Sequence, residues 1–218
     1  WQEIMEMRKS SPCPIGSTDV FNQMFLTVTK PAQKRSNEIL TQLRDQVKEN
    51  FDKGKGVLEN EKFRLMWDNI AIWYNIGLMN YLQKADAVSV IETYSTYCGW
   101  GKIMDMSKNP EYALASKYLP GYLNLGLNSK VELMVSIAKD WKLDGALLFS
   151  NRSCKPYSVG QYDIKAALEK VGVKSVMFEA DMVDPRAYAA DVINNRLEAF
   201  LEMLESDDRL DALLERLE

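Results

Sequence analysis

The sequence predicts an α/β protein: a three-layer sandwich on a four-stranded, mainly parallel sheet, preceded by a helical section. Three observations carry that expectation. After Gly56, short apolar runs rich in Val, Ile, Leu and Phe alternate with stretches of helical period. That alternation implies parallel strands joined by right-handed crossovers, with helices on both faces of the sheet. Each apolar run also ends in polar residues, as the carboxyl edge of such a sheet does when it carries a site. Residues 1–56, by contrast, hold helical stripes and no strand-like run. We therefore divide the chain into a helical section, 1–56, and an α/β domain, 57–218.

Taken in order, Trp1 to Ser10 reads as the end of a helix that began upstream, and Pro12 and Pro14 then break regular structure. Asp19 is suited to cap a short helix over Val20 to Val28, and Pro31 suits the first turn of the next. In that helix Ile39, Leu40, Leu43, Val47 and Phe51 form one apolar stripe, closed by Gly54 and Gly56. Phe63 to Trp67 reads as the first strand, Ile70 to Leu82 as a helix, and Ala87 to Ile91 as the second strand. Helices follow over Glu111 to Tyr118 and Lys130 to Trp141. Gly145 to Phe149 is the third strand, Val159 to Val171 a helix, and Val173 to Phe178 the fourth strand. Asp184-Pro185 opens a last helix with Val192, Leu197, Phe200, Leu201 and Leu204 on one face. The charged tail from Asp207 to Glu218 reads as a separate peripheral helix.

Composition excludes several classes of chemistry. Of 218 residues, 46% are hydrophobic and 27% charged, so a sizeable core is within reach and disorder is not expected. The net charge of −4 gives no global attraction to nucleic acid or anionic lipid. Histidine is absent, which removes Ser-His-Asp and Cys-His nucleophiles and imidazole acid–base work. The three cysteines, Cys13, Cys98 and Cys154, are far apart and form no CxxC pair, which fits a reducing cytoplasm. No run approaches the ~18 apolar residues of a membrane span, and no signal-peptide pattern is present. The chain starts at Trp1 rather than Met, as a piece of a longer protein would. The glycines never fall into GxGxxG or GxxxxGKS/T, so a dinucleotide or P-loop site is not expected.

The most informative stretch is Asn151-Arg152-Ser153-Cys154-Lys155-Pro156. It puts a thiol between two cations, after a buried strand and before a helix that resumes at about Val159. Cationic neighbours favour thiolate, the form that ligates metal or attacks electrophiles, and ligands of open α/β sheets bind at this position. A structural cysteine is the competing reading. At the other strand ends, Asp68 and Asp181 read as turn caps. Glu92, directly after a buried strand, needs a partner, and Arg152 on a neighbouring loop is the candidate. Cys98, beside aromatics in Tyr97-Cys98-Gly99-Trp100-Gly101, reads as packing, and Cys13 as structural.

Ser150-Asn151-Arg152-Ser153-Cys154-Lys155-Pro156-Tyr157-Ser158, Gly160-Gln161-Tyr162-Asp163 and Glu179-Ala180-Asp181-Met182-Val183-Asp184-Pro185-Arg186-Ala187-Tyr188 resemble the C-terminal part of subunits of the 2-hydroxyacyl-CoA dehydratase and benzoyl-CoA reductase family. Arg64-Leu65-Met66-Trp67-Asp68-Asn69-Ile70 and Ile72-Trp73-Tyr74 also look like that family. The resemblance implies a flavodoxin-like domain and Cys154 as a ligand of a 4Fe–4S cluster, with Asn151, Arg152, Ser153 and Lys155 around that cofactor. Glu92, Tyr157 and Gln161 are the candidate substrate contacts. The implied reaction removes water from an (R)-2-hydroxyacyl-CoA to give 2-enoyl-CoA through a ketyl radical. It would need a second homologous subunit, an ATP-dependent iron–sulfur activator and the acyl-CoA substrate, and no nucleic acid or membrane. A benzoyl-CoA reductase-type subunit is the sibling alternative; a non-catalytic interaction module and a redox enzyme with Cys154 as nucleophile are the others. Family subunits carry a further N-terminal domain that supplies more cluster cysteines. The chain is then either the C-terminal portion of a longer subunit or a truncated protein that cannot hold a whole cluster alone.

Overall fold

The structure, a computed structural model, describes residues 1–214 apart from 103, 106 and 108; for 208–214 the backbone alone is described. Strands β1 (Phe63–Asp68), β2 (Ala87–Glu92), β3 (Gly145–Asn151) and β4 (Lys174–Ala180) form one sheet in the order β2-β1-β3-β4, with every neighbouring pair parallel. Helices cover both faces, giving the flavodoxin-like three-layer sandwich. All four expected strands are present, and each continues one or two residues further toward its carboxyl end. The added residues include Asp68, Glu92 and Asn151, polar side chains that the pairing ladder holds in extended backbone.

Alternation along the strands divides the core in two. Leu65, Trp67, Leu147, Phe149 and Phe178 face the long C-terminal helix (Ala190–Leu214), while Met66, Val88, Val90, Ala146 and Leu148 face the other layer. On the first face that helix contributes Ile193, Leu197, Phe200, Leu201 and Leu204. Val192, expected in that stripe, is 54% exposed, because Ile193 is the residue one turn before Leu197. A Cβ on Gly145 would come within 2.6 Å of the Phe200 ring, so only glycine lets the C-terminal helix lie this close to β3. The second layer holds the helices Leu127–Asp140 and Gln161–Glu169, whose Met134, Ile137, Ile164 and Leu168 are buried.

Several helix boundaries differ from expectation. Residues 70–82 are not one helix: a 3-10 turn at Trp73–Asn75 is followed by a single α-turn at Leu78–Tyr81 and a second 3-10 turn at Leu82–Ala85. Gly77 interrupts the run, and the Trp73 amide donates to Met182 O at 3.0 Å instead of to a helical neighbour. Pro31 lies before its helix, which spans Lys34–Asp52, and Asp19 lies inside a helix capped by Gly16. The stripe on Lys34–Asp52 is only partly covered: Val47 is buried and Phe51 is 43% exposed. Asp184 caps a short 3-10 turn, Pro185–Ala187, rather than the C-terminal helix itself. The tail through Leu214 continues that helix without a break, and 215–218 lie outside the described residues.

The helical section is fastened to the sheet by a buried ion pair. Arg8, following the first helix (Gln2–Met7), sends Nη2 to Glu92 Oε1 at 2.5 Å and Nη1 to Oε2 at 3.1 Å. It also donates to Ile15 O at 3.1 Å and Ser17 Oγ at 3.3 Å, and Ser95 Oγ donates to Glu92 Oε2 at 2.5 Å. Both ionic side chains have no exposed surface. This corrects the expected pairing of Glu92 with Arg152: Arg152 follows β3, two strands away from β2 in the sheet, and pairs with Glu179 of β4 at 2.6 Å. Removing one charge strands the other in a dry site, so Arg8→Met is expected to lose about 3–5 kcal/mol of stability, measured by urea unfolding. A loss near that of an ordinary surface substitution would contradict a dry, paired Arg8.

Candidate functional site at the switch point of the sheet

In the order β2-β1-β3-β4 the connections diverge between β1 and β3, and the loops beyond the carboxyl ends of these two strands are where ligands of open α/β sheets bind. β1 delivers Asp68 and Asn69 there. Asn69 takes the left-handed conformation (φ +98) that Asn tolerates better than most residues. Its Nδ2 donates to Phe149 O at 2.8 Å and its amide to Thr93 Oγ1 at 3.1 Å, tying β1 to β3 and to the loop after β2.

β3 delivers the thiol loop. Ser158 receives the Asn151 amide at 2.9 Å, Asn151 Oδ1 accepts the Ser153 amide at 3.2 Å, and the Arg152 amide donates to Ala180 O at 3.0 Å. Helical structure resumes immediately, at Lys155–Ser158, so Cys154 is its N-cap residue; a break at Gly160 (φ +84) separates that turn from the helix Gln161–Glu169. Cys154 is half-buried against the core. Arg152 and Lys155 are exposed, and Arg152 is committed to Glu179, which leaves Lys155 as the flanking cation without an ion pair among the described residues. Ser153 hydrogen-bonds Asp181, whose other oxygen accepts the amides of Val183 and Asp184, so Asp181 is the turn cap the sequence indicates.

Beneath this loop lies a cluster that the sequence does not announce. Tyr157 is fully buried, stacks on Tyr122 with ring centres 4.9 Å apart, and meets Cys98 Sγ with its hydroxyl at 3.3 Å. Cys98 is buried in the core, as the packing reading expects, beneath the thiol loop; burial pushes its thiol up to about 11. Asp68 is not a cap. It is fully buried and accepts Thr93 Oγ1 at 2.9 Å and Gln161 Nε2 at 3.2 Å, and desolvation raises it to about 6 despite those bonds. Lys130 Nζ donates to Pro156 O at 2.6 Å and sits 5.1 Å from the Tyr122 ring centre, its pKa lowered by burial. Asn151 Nδ2, Gln161 Oε1 and Tyr122 Oη are buried without a hydrogen-bond partner among the described residues.

The sequence-derived candidates thus fall into two groups. Arg152, Ser153, Cys154 and Lys155 are held together at the rim with buried Asn151 at their base, while Glu92, Tyr157 and Gln161 are sealed inside, Glu92 and Tyr157 bonded to the protein and Gln161 through its Nε2 alone. Asp68, Cys98, Tyr122 and Lys130 come from separate segments. Only the position of Asp68 at a strand end signals one of them in the sequence. Cys13 is buried away from the site and donates to Ile15 O at 3.2 Å. Among the described residues no three Cys, Asp or Glu side chains are grouped to hold a metal ion, and no helix is long and apolar enough to cross a membrane.

Residues 1–204 match the family described as 2-hydroxyglutaryl-CoA dehydratase, D-component. The chain is similar to the lactoyl-CoA dehydratase subunit alpha of Anaerotignum propionicum, 29% identical over 95% of this chain and 49% of that one. It is 27% identical to the (R)-2-hydroxyisocaproyl-CoA dehydratase alpha subunit of Clostridioides difficile, over 96% and 52%. It is also 27% identical to a benzoyl-CoA reductase subunit of Thauera aromatica, over 93% and 50%. The chain thus spans about half the length of the curated relatives it matches.

Two outcomes follow from this geometry. A carboxyl whose pKa is raised by folding adds stability at low pH that is lost as pH rises through the folded value near 6. Asp68→Asn should therefore be more stable than the parent at pH 7.5 by roughly 2–3 kcal/mol. The advantage should vanish toward pH 4, as read from urea midpoints across that range; an advantage independent of pH would contradict the raised carboxyl. Iodoacetamide at neutral pH should label Cys154 first, with Cys13 and Cys98 labelled only on unfolding, as read by mass spectrometry.

Proposed function

The chain belongs to the 2-hydroxyglutaryl-CoA dehydratase, D-component family, and we propose that it is the C-terminal portion of a subunit of an iron–sulfur (R)-2-hydroxyacyl-CoA dehydratase. In this reading the enzyme removes water from a 2-hydroxyacyl-CoA thioester to give the 2-enoyl-CoA. The observation that carries it is the half-buried thiol of Cys154 in the loop after β3 at the switch point, in a chain that matches the family from residue 1 to 204. Cys154 supplies one thiolate to a 4Fe–4S cluster, and the remaining ligands lie outside this chain. The donor chemistry fits: such clusters are held by thiolates and tuned by hydrogen bonds to sulfur. The buried Asn151 Nδ2 is a donor lacking an acceptor, and a sulfur beside Cys154 would supply one. When bound, the cluster supplies the single electron that makes the thioester carbonyl able to expel the hydroxyl.

The chain's own residues position and shield. Lys155 and Arg152 form the cationic wet side of the loop, suited to anionic groups of an acyl-CoA. Ser153 and Asp181 fix the loop against the end of β4. Of the first candidates for touching substrate, Tyr157 and Gln161 act from inside by holding the end of β3 and its loop, while Glu92 anchors Arg8 at the end of β2. The reading includes a second homologous subunit and an ATP-dependent iron–sulfur activator; relatives whose names mark them as single subunits of larger enzymes support a multi-subunit assembly. Exposed Phe25 and Phe51 on the helical section suit a face between domains. Three free thiols suit a reducing cytoplasm. Similarity to a benzoyl-CoA reductase subunit keeps a ring reductase as the sibling reading.

Anaerobic reconstitution of the complete subunit with iron and sulfide should give a four-iron cluster whose visible absorption falls strongly in Cys154→Ser. With activator, ATP and partner subunit, acyl-CoA products should then show 2-enoyl-CoA. A folded but colourless product would overturn the cluster reading in favour of an interaction module, and a reduced aryl-CoA ring would move the assignment to the sibling enzyme.

A further inference from the structure

Two carboxylates end neighbouring strands of this sheet, and the protein treats them oppositely. Glu92 is met by a bidentate guanidinium at 2.5 and 3.1 Å. Asp68, equally buried, is met by neutral groups alone, Thr93 Oγ1 and Gln161 Nε2 as donors and the facing Tyr122 hydroxyl. The nearest cation, Lys130, is committed to Pro156 O and the Tyr122 ring. A dry carboxylate without a counter-charge is poised to take a proton. The surroundings also have room for one: Gln161 Oε1, buried beside Asp68, has lone pairs with no donor.

We propose that Asp68 is the proton-exchanging group of the site, a positioning residue that takes up a proton when negative charge builds under the Cys154 loop and releases it when that charge leaves. Its connection to the loop is structural. Thr93, which donates to Asp68, begins the short helix Thr93–Tyr97, and Cys98 follows that helix. Cys98 meets Tyr157, whose amide donates to Cys154 O at 3.2 Å. The titratable groups facing Asp68 come from every element around it: Tyr122, Lys130, Tyr157 and Cys98. Burial holds both tyrosines and the Cys98 thiol neutral well above pH 7, so around neutrality the exchanging group is Asp68. In the cofactor-loaded site, where this inference rests on the cluster reading above, one electron from a reduced iron–sulfur donor adds one negative charge. One solvent proton converts the Asp68 carboxylate to the acid, keeping the local charge constant, and both leave together.

Two measurements test this. In the 218-residue chain with carbon-13 labelled aspartate, the Asp68 carboxyl should titrate near 6. The Tyr157 ring and Cys98 Cβ signals should show the same inflection, and that inflection should be absent in Asp68→Asn. A carboxyl that ionises in the ordinary range near ~4, or neighbours that ignore its titration, would overturn the proposal. This arm needs no cluster, and the unsubstituted protein alone decides the carboxyl if the variant fails to fold. In the complete, cluster-loaded subunit, the reduction equilibrium should change about tenfold per pH unit across the Asp68 titration, about 59 mV for one electron, and become flat in Asp68→Asn. A flat profile in the unsubstituted holoprotein would overturn the proposal, whereas failure to load any cluster would overturn the functional reading and leave the Asp68 assignment to the first arm.

Discussion

The contact on which the rest of the molecule depends is the pairing of Arg8 with Glu92. Either charge alone, dry and unpaired, would cost several kcal/mol. Together, and with Ile15, Ser17 and Ser95 completing the hydrogen bonds, they form a fixed point where three segments meet. The first helix is joined there to the end of β2, and the chain after Glu92 enters the helix that carries Thr93 and leads to Cys98. The helical section is therefore a wall of the site's supporting structure: Ile4, Met5 and Cys13 are buried in the same core as Tyr122, Tyr157 and Met134.

With that anchor set, the switch-point loops divide into a wet rim and a dry floor. The rim carries Arg152, Ser153 and Lys155, with salt bridging and exposure typical of surface charges, worth little individually. The floor carries Asp68, Tyr122, Tyr157 and Cys98, all shielded from water. In a chain without histidine, a proton that must move near neutral pH needs a carboxyl raised or an amine lowered from its usual range. Asp68 is such a carboxyl, raised by loss of water rather than by a like-charge neighbour.

The fold was legible because strand chemistry is local. Short, bounded apolar runs such as Gly145 to Phe149 suit buried strands, and their alternation with helices implies parallel pairing through crossovers. Helix boundaries were less legible. Tyr157, Gln161, Ile164 and Leu168 are all buried and keep the i, i+4, i+7 period straight through Gly160, so periodicity alone reports one helix where there are two. The thiol loop was legible as a block, because its cations, thiol and proline are contiguous. Its floor was not, since Asp68, Cys98, Tyr122 and Lys130 are brought together by β-crossovers that leave no mark in sequence spacing. The Glu92–Arg152 expectation failed for a related reason: strand order places β2 and β3 on opposite sides of β1, and Arg8, the true partner, lies in a segment without strands.

The two thiols of the site show why burial, rather than residue type, assigns roles here. Cys98 is dry, bonded to a phenol and held protonated by desolvation up to about 11; it contributes a neutral, polarisable sulfur to the floor. Cys154 has partial access to solvent at a rim where Lys155 is uncompensated by any ion pair among the described residues. A thiol that must become thiolate to bind iron needs water or cations within reach, and a thiol that must stay inert needs neither. The chain therefore offers one sulfur outward and keeps the other inward, with Tyr157 bridging them: its backbone amide on the Cys154 carbonyl and its hydroxyl on Cys98. Tyr157 thus joins the rim to the dry floor that holds Asp68.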